Sequence, residues 1–376
     1  MIYLDHNASA PLHPAALAAI QDALVGAFGN PSSAHAAGAE ARARLSRARR
    51  QVAALSGVSP EAIVFTSSAS EANNTVLRSL GAGARLVTSA VEHPSVLEEA
   101  AALERRGGRV TVLPVGRDGR LDPDAFSAAL EPGTALASVQ WANHETGVVQ
   151  PIAELAGRAR AAGVPFHSDA AQALGKTPLA LESLPIDLAS FSAHKLGGPK
   201  GVGGLFVRAT AALTPLLRGG MQERGRRAGT ENVPGIAGFG AACEAAGAAL
   251  ASEPAGLSSL RDSLWRGIEK SIPGALRNGG PEHVLPHVLD VAFPGASGEA
   301  LVEALDLEGI AVSTGAACHS GSTEPSPVLL AMGVPEETAR AALRFSLGPR
   351  NDGSEIERVL AVLPEIVARV RRARAA

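Results

Sequence analysis

The segment Leu188-Ala-Ser-Phe-Ser192-Ala-His-Lys195-Leu-Gly-Gly-Pro-Lys200 is the clearest indication of fold in this sequence. It is a short apolar run that ends at a lysine and a glycine-proline turn. Other short runs of apolar, β-branched or aromatic residues alternate with alanine-rich segments of helical length. These runs lie at residues 62–66, 86–89, 109–115, 135–141 and 164–168. The alternation predicts an α/β fold with a mostly parallel sheet and helices on both faces.

Polar residues cluster where these runs end. The clusters lie at residues 67–70, 92–93, 143–145, 168–169 and 193–195. Parallel sheets bind ligands at the carboxyl ends of their strands, so we expect a binding site at this edge of the sheet. Five polar loops at one edge are a stronger signal than any one of them.

The composition is typical of a folded protein without a large nucleic-acid-binding surface. The 376 residues are 46% hydrophobic and 19% charged, with a formal net charge of -3. This near balance provides no broad basic surface for phosphate backbones. Two cysteines are too few for a disulfide framework or for the four thiolates of an iron–sulfur cluster.

The sequence also predicts a location and a division into domains. The amino-terminal residues lack the basic and apolar regions of a secretory signal, and the most apolar stretch, residues 235–251, contains Glu244. We therefore expect a cytoplasmic protein with no membrane span. The composition changes near residue 250. We expect a large domain over residues 15–250 and a smaller α+β domain formed by residues 1–14 and 251–376.

Lys195 is the candidate for covalent chemistry. A lysine between a buried strand and a tight turn is shielded from water, which lowers its pKa and favours imine formation. The chain has only four lysines, Lys176, Lys195, Lys200 and Lys270. Of these, Lys195 is the one that lies between a histidine and the sheet edge, whereas Lys200 is expected to be a loop charge.

Residues 66–74 follow a strand and begin a helix with hydroxyl groups and a glutamate in its first turn. A helix start carries unpaired backbone N–H groups, so this segment suits a phosphate. An ordinary serine cap with Glu71 in the first turn explains the same residues. On this segment alone, capping is the favoured interpretation.

Asp169 ends another strand, where its carboxylate could pair with a protonated pyridine nitrogen, and Gln172 would face the same side. A metal site is the alternative, because imidazole and carboxylate groups recur at this edge. The residues concerned are His144, Glu145, His167, Asp169 and His194. None shows the i, i+4 spacing of a helical zinc motif, so we expect no metal.

Cys318 and Arg344 are candidates for handling a substrate. Cys318 lies beside His319 among small and turn-forming residues, which predicts a nucleophilic thiol on a mobile loop. Cys243, within an alanine-rich segment, is typical of a buried and inert cysteine. Arg344 could bind both oxygens of a carboxylate or could form a surface ion pair.

Taken in order, these segments resemble the cysteine desulfurases, which are pyridoxal-phosphate enzymes of fold type I. The resemblance rests on residues 3–8, 29–35, 65–74, 91–94, 143–147, 167–172, 192–201, 219–224, 227–232, 313–321 and 344–348. It implies a large domain with a mostly parallel seven-stranded sheet and a smaller carboxyl-terminal domain with the mobile cysteine loop. It also implies a homodimer that passes sulfur from L-cysteine to an acceptor protein, such as an iron–sulfur scaffold.

The resemblance implies a role for each matching position. Lys195 would bind pyridoxal 5'-phosphate as an imine, Cys318 would take the sulfur, and His93 would stack on the ring and assist proton movement. Arg344 and Asn143 would contact the substrate. The other cofactor-binding positions would be Ala69, Ser70, His144, Asp169, Gln172, Ser192, His194 and, from a second subunit, Thr230.

Some alternatives stay open at this point. The family usually has Asn-Asn-Glu where this chain has Asn143-His144-Glu145, and an imidazole there could change the pH dependence. A selenocysteine lyase or another class V aminotransferase-like enzyme would share the fold. A metallohydrolase built on the histidines and acids, and a non-catalytic sulfur-relay or scaffold protein, are the alternatives from other classes.

Overall fold

The computed structural model describes residues 1–315 and 324–375, and its centre is a seven-stranded sheet. The strands are β1 (Ile2–Tyr3), β2 (Ile63–Thr66), β3 (Arg85–Ser89), β4 (Arg109–Leu113), β5 (Thr134–Ser138), β6 (Phe166–Asp169), β7 (Leu188–Ser192), β8 (Gly203–Val207), β9 (Leu276–Asn278), β10 (Val288–Ala292), β11 (Ile310–Ala311) and β12 (Ala342–Ser346). The order of the large sheet is β2-β8-β7-β6-β5-β3-β4. Strand β8 is antiparallel to both neighbours and the other pairs are parallel. The predicted α/β fold with a mostly parallel sheet is therefore confirmed.

Strand β8 is a member of this sheet that the sequence pattern does not predict. It begins with Gly203-Gly204, which resembles the turn before it more than a strand. The structure requires a glycine there, because a Cβ atom on Gly203 would lie 2.5 Å from the carbonyl carbon of Ser68. By pairing with both β2 and β7, β8 places the loop of Ser68 beside the loop of Lys195.

Twelve α-helices lie in the described part of the chain, between and after these strands. They are α1 (Pro14–Gly26), α2 (Ala36–Ser56), α3 (Ala69–Arg78), α4 (Pro94–Arg105), α5 (Pro123–Ala129), α6 (Ile152–Ala161), α7 (Val233–Ala249), α8 (Glu253–Ser271), α9 (Gly298–Leu307), α10 (Pro327–Ala331), α11 (Glu336–Ala339) and α12 (Gly353–Ala375). Several begin at a side-chain cap followed by proline in the first turn, as at Asn232, whose Oδ1 accepts from the N–H of Gly235 at 3.1 Å. Such caps satisfy donors that have no partner within the helix.

Hydrophobic clusters cover both faces of the large sheet. In β2, Ile63 and Phe65 belong to the largest cluster, whereas Val64 between them belongs to another. Alternation along a strand places these side chains on opposite faces. Both faces of the sheet are therefore buried, as expected for a mostly parallel sheet.

A separate core forms under the carboxyl-terminal part of the chain. It contains buried residues between Leu264 and Val367 together with Leu4. The smaller sheet β12-β10-β9 contributes to it, and β1 reaches it by pairing with β11. The first residues of the chain thus start in this core and continue to the edge of the large sheet. The domain division at residues 15–250 stays a prediction.

In the described part of the chain, no single helix is long and apolar enough to cross a membrane. Helices α7 and α8 reach that length and apolar character only when they are taken together, and they are bent by 77° relative to each other. The bend lies near residue 250, where the composition of the sequence changes.

Candidate active site

A cavity of about 380 Å³ lies at the carboxyl ends of the large sheet. We call it the active-site cavity. All five polar clusters identified in the sequence contribute at least one residue. Its lining residues are Asn7, Ala8, Ser68, Ala69, Ser70, His93, Ser95, Gln140, Ala142, His144, Asp169, Ala171, Gln172, Ser192, His194, Lys195, Gly315 and Arg344. The strand-end positions therefore meet at one place, as the parallel sheet requires.

Lys195 projects into this cavity from the short helical turn that follows β7. Its Nζ donates to the main-chain oxygen of Asn7 at 2.5 Å and to that of Ala8 at 3.1 Å. The Nε2 of Gln172 donates to the same Asn7 oxygen at 3.1 Å. The amino-terminal segment therefore positions both side chains. Composition and spacing could not reveal this role, because it is performed by backbone carbonyls.

The start of α3 combines both interpretations of residues 66–74. Ser68 Oγ accepts from the N–H of Glu71 at 3.1 Å, and Glu71 Oε2 accepts from the N–H of Ser67 at 2.8 Å. Ser68 therefore caps α3 with Glu71 in the first turn, as the favoured capping interpretation predicts, and Glu71 in turn bonds the residue before the cap. The next two residues, Ala69 and Ser70, line the active-site cavity. The positive end of the helix dipole is thus directed at this cavity.

Asp169 is held by groups on two sides. Its Oδ2 accepts from Asn73 Nδ2 at 2.7 Å, and its Oδ1 accepts from the N–H of Ala171 at 3.0 Å. Asn73 also donates to Ser95 Oγ at 2.9 Å. These bonds fix the carboxylate at the cavity wall. Asn73 lies within a family-like segment, but its contact with Asp169 could not be inferred from the sequence.

His93 caps α4 and lies close to His144. The two rings meet edge to face, with centroids 5.4 Å apart. The Nδ1 of His93 accepts from the N–H of Ser95 at 3.1 Å. Burial lowers the pKa of His93, and the nearby carboxylate of Asp169 opposes this effect. The ring is therefore held largely neutral, since its ordinary pKa is already below physiological pH.

His194 and Ser192 lie at the same wall as Lys195. Burial and the positive charge of Lys195 lower the pKa of His194 to about 4. The Nδ1 of His194 lies 3.3 Å from Ser9 Oγ, again in the amino-terminal segment. Neutral His194, the hydroxyl of Ser192 and the start of α3 are all groups that can donate hydrogen bonds to a phosphate.

Arg344 lies in β12 and is almost fully buried, so the surface ion pair considered from the sequence is not what forms. One guanidinium nitrogen donates to Asp5 Oδ1 at 2.6 Å and the other donates to the main-chain oxygen of His144 at 2.9 Å. Its Nε is buried with no hydrogen-bond partner among the described residues. Sequence reasoning missed Asp5 as a partner, although it lies within the family-like stretch 3–8.

Glu145 joins the two chain segments that flank residues 316–323. Ser326 Oγ donates to Glu145 Oε2 at 2.5 Å and also caps α10. On the other flank, Gly315 has φ +86°, and a Cβ atom there would lie 2.9 Å from Glu145 Oε2. Burial raises the pKa of Glu145 to about 7. Glu145 therefore lies against the chain on both sides of residues 316–323, at Gly315 and at Ser326.

Two of the predicted residues, Asn143 and Thr230, are described by the structure but do not line this cavity. Asn143 is buried behind it, where its Oδ1 accepts from the N–H groups of Glu145 and Thr146 and its Nδ2 donates to Val91. Asn143 therefore shapes the turn that carries His144. Thr230 is exposed and lies outside the cavity of its own chain. Cys318 lies outside the described residues.

The histidines and acids of the metal alternative do not form one cluster. His167 lies within the sheet, with Nδ1 2.8 Å from Ser138 Oγ and Nε2 3.0 Å from Ser190 Oγ. Within residues 1–315 and 324–375 there is no group of three or more His, Cys, Asp or Glu side chains that could hold a metal ion. His167 is therefore a hydrogen-bonded core histidine.

Comparisons with known proteins agree with this architecture. The aminotransferase class-V family matches residues 2–359. A cysteine desulfurase from Gluconacetobacter diazotrophicus is 48% identical over 376 residues, which cover 98% of this chain and 94% of that protein. One from Cereibacter sphaeroides is 48% identical over 98% of this chain and 96% of its own length. A solved NifS-like protein has a TM-score of 0.92 and 36% identity, covering 98% and 99% of the two chains.

The fold and the active-site cavity define a class V aminotransferase-type protein. Within that class, the chain belongs to the cysteine desulfurase family. The resemblance inferred from the sequence is thereby confirmed.

Proposed function

We propose that the protein is a pyridoxal-phosphate-dependent cysteine desulfurase, which converts L-cysteine to L-alanine and leaves the sulfur as a persulfide on Cys318. The observation that carries this proposal is that the amine of Lys195, the carboxylate of Asp169 and the guanidinium of Arg344 line one cavity. These are an attachment point for an aldehyde, a partner for a pyridine nitrogen and a donor for a substrate carboxylate. Membership of the family supports the same reaction.

The lining residues fit the cofactor at both of its polar ends. Ser70, Ser192 and His194, together with the start of α3, would hold the phosphate. Asp169, fixed by Asn73, would pair with the ring nitrogen. Gln172 Oε1 is buried without a partner among the described residues, so this side chain keeps hydrogen-bonding capacity at the cavity wall. Bound there, pyridoxal 5'-phosphate would supply an electron sink for the substrate carbon that carries the amino group.

The chain's own groups would position the reactants and hold protons. The carbonyls of Asn7 and Ala8 orient the Lys195 amine. His93 accepts a backbone N–H at Nδ1, so its neutral ring carries the proton at Nε2, where it can donate a hydrogen bond. Arg344 keeps Nε available for the substrate carboxylate while Asp5 and His144 fix its other nitrogens.

Cys318 would take the sulfur as a thiolate. Its Sγ forms a bond to the substrate sulfur, and the carbon–sulfur bond breaks with its electron pair remaining on carbon. A proton added to that carbon completes alanine, and the sulfur stays on the enzyme as a persulfide. Because a reduced thiol is needed for each turnover, we place the protein in the cytoplasm, where thiols are kept reduced.

We also propose a homodimer in which Thr230 of a second copy completes the phosphate site. Thr230 is exposed and remote from the cavity of its own chain. Large apolar side chains are exposed at Leu24, Val25 and Phe28. Pro31 and Ser32, just after Phe28, line a hollow together with Arg224 and Glu231, next to Thr230. The chain just after the exposed apolar residues and the chain next to Thr230 therefore border one hollow, and we propose that the second copy packs there.

The persulfide would be passed to a sulfur-acceptor protein that serves iron–sulfur cluster or thio-cofactor synthesis. The sequence after Cys318 resembles the long-loop members of the family, which transfer sulfur to partner proteins. A persulfide on a long segment can be presented to a partner without exposing the cofactor.

Substitutions of the lysine and the cysteine test the proposed reaction separately. In Lys195→Ala, we expect loss of the cofactor absorbance that borohydride bleaches in the parent protein, whereas the loop variant Lys200→Ala should keep it. In Cys318→Ser, the absorbance should stay while alanine and sulfide formation from cysteine stop. Cys243→Ala, in a buried helix position, is the matched control and should retain activity. Full turnover by Cys318→Ser would refute the assigned nucleophile.

A further inference from the structure

A second cavity, of about 400 Å³, lies between the amino-terminal residues, the end of α7 and the start of α8. We call it the second cavity. Lys195 is the residue that lines both it and the active-site cavity. Its walls are largely apolar and include Ala245 and Ala249 of α7 and Leu257 of α8. The proposed desulfurase reaction makes no use of this space.

Positive charge prevails among the groups that line the second cavity. Lys176 and Arg350 line it together with Lys195, and Glu253 is the acid among the lining residues. Within residues 1–315 and 324–375, no carboxylate forms an ion pair with Lys176 or with Arg350. The cavity therefore combines apolar walls with two basic side chains, Lys176 and Arg350, that have no carboxylate partner among the described residues.

Lys176 belongs to a hydrogen-bonded chain that ends at the catalytic lysine. His287 Nε2 lies 3.1 Å from Lys176 Nζ and 2.8 Å from Asn7 Oδ1. Asn7 Nδ2 donates to the main-chain oxygen of His144, which fixes Oδ1 as an acceptor. His287 Nε2 must therefore carry the proton. An ammonium would direct N–H against N–H, whereas a neutral amine offers its lone pair, so this geometry favours uncharged Lys176.

The surroundings of Lys176 act in the same direction. The titratable or charged groups around it and along the second cavity are His6, His13, Lys195, Glu253, His287, Arg344 and Arg350. Burial lowers the pKa of Lys176 to about 7, and the charges of Lys195 and Arg344 add to this effect. His287 is itself kept neutral by burial, which lowers its pKa well below the ordinary value. Its Nδ1 is buried with no partner among the described residues.

We propose that the second cavity binds a small monocarboxylate with a short aliphatic chain. The carboxylate would pair with Lys176 inside the cavity and with the exposed Arg350, while the chain would lie against the alanine and leucine side chains of α7 and α8. Such a ligand supplies the carboxylate partner that Lys176 and Arg350 do not find among the described residues, and it buries apolar surface. Binding would convert Lys176 from amine to ammonium, because a paired carboxylate raises the pKa of the lysine.

Calorimetry of the holoenzyme with hexanoate tests this proposal. At pH 8, wild type should bind hexanoate and take up part of a proton per ligand, measured in buffers of different ionisation enthalpy. Affinity should fall as the pH rises from 7 to 9, since the amine must then be protonated at greater cost. Hexan-1-ol and hexylamine, which share the chain but lack the negative charge, should bind at least about tenfold more weakly.

Variants locate the binding site. Lys176→Met should weaken hexanoate binding about tenfold or more and abolish the proton uptake, whereas Lys270→Met, at an exposed lysine of α8, should match wild type. Arg350→Gln, at the exposed end of the cavity, gives the same test without altering a buried side chain. Binding that survives both Lys176→Met and Arg350→Gln, or that is lost instead in Arg344→Gln, places the carboxylate elsewhere and overturns the proposal. Absence of hexanoate binding by wild type also overturns it.

Discussion

Asp290 is a buried carboxyl group in the middle of β10, opposite Arg344 of β12. Its Oδ1 accepts from Asn278 Nδ2 at 2.7 Å, and its Oδ2 has no hydrogen-bond partner among the described residues. Burial raises the pKa of Asp290 to about 8. From about pH 4 to pH 8 the unfolded chain has released this proton while the folded chain retains it. The free energy of unfolding contributed by Asp290 therefore decreases as the pH rises through that window.

We predict that Asp290→Asn is more stable than wild type at pH 8 and nearly equal to it at pH 4. Asparagine keeps the acceptor for Asn278 but has no proton to lose, so the difference should reach about 5 kcal/mol. Urea unfolding at a series of pH values measures it. Asp306→Asn, at an exposed position of α9, is the control and should show little pH-dependent difference. A gain in stability that is the same at all pH values would contradict this account.

The candidate site residues that the sequence identifies are those whose chemistry is carried by side chains at strand ends. Lys195 and Asp169 follow predicted strands directly, so the parallel sheet was enough to bring them together. Asn7 acts through its main-chain carbonyl, and Asn73 acts by contact with Asp169 across the fold. Residue spacing and composition contain no signal for a carbonyl contact or for a contact between distant side chains, so the sequence could not predict these two roles.

Among the secondary-structure elements, β8 determines how closely the loop of Ser68 can approach the loop of Lys195. A Cβ atom on Gly203 would lie 2.5 Å from the carbonyl carbon of Ser68 and 2.6 Å from the oxygen of Phe191, both of them backbone atoms. On the adjacent Gly204, the nearest atoms would be side-chain carbons of Phe191 and Phe239 at 3.5 Å, which is ordinary contact. A side chain can therefore be accommodated at position 204 but not at position 203.

We predict that Gly203→Ala loses cofactor and stability, whereas Gly204→Ala loses little of either. The added methyl group at position 203 must displace the start of α3, at a cost of about 1–3 kcal/mol or more. Thermal unfolding and the absorbance of bound cofactor measure the two effects in parallel. Equal behaviour of the two variants would show that the loop of Ser68 moves aside freely.

The sequence predicts strands well where alternation with helices is regular, and less well where glycine replaces side chains. The six predicted strands of the large sheet are all present, with ends shifted by up to three residues. The pattern does not predict β8, because Gly203 is required by the space beside Ser68, which is a property of the tertiary structure.

At the scale of the whole molecule, the proposed dimer makes a further prediction. Phe28→Glu places a charge on a side chain that is 81% exposed in one chain and would be buried between two. We expect this variant to be monomeric, because burying an unpaired charge is unfavourable. It should also retain less cofactor, since Thr230 of the second copy would be absent.

Sedimentation velocity and cofactor absorbance check both parts. Leu307→Glu is the matched control, because Leu307 is 87% exposed but lies at the end of α9 beside the other core. It should leave the oligomeric state and the bound cofactor unchanged. A Phe28→Glu protein that remains dimeric would place the interface on another surface.

The amino-terminal residues link the two cores mechanically. β1 pairs with β11 beside the smaller core. Two residues further on, Asp5 forms an ion pair with Arg344 of β12, and the carbonyls of Asn7 and Ala8 accept hydrogen bonds from the Lys195 amine. A shift of one core against the other would therefore move residues 2–8 and, through them, the Nζ atom of Lys195. A substitution in β1 that weakens its pairing with β11 would therefore displace the Lys195 amine and lower activity, although β1 itself does not line the active-site cavity.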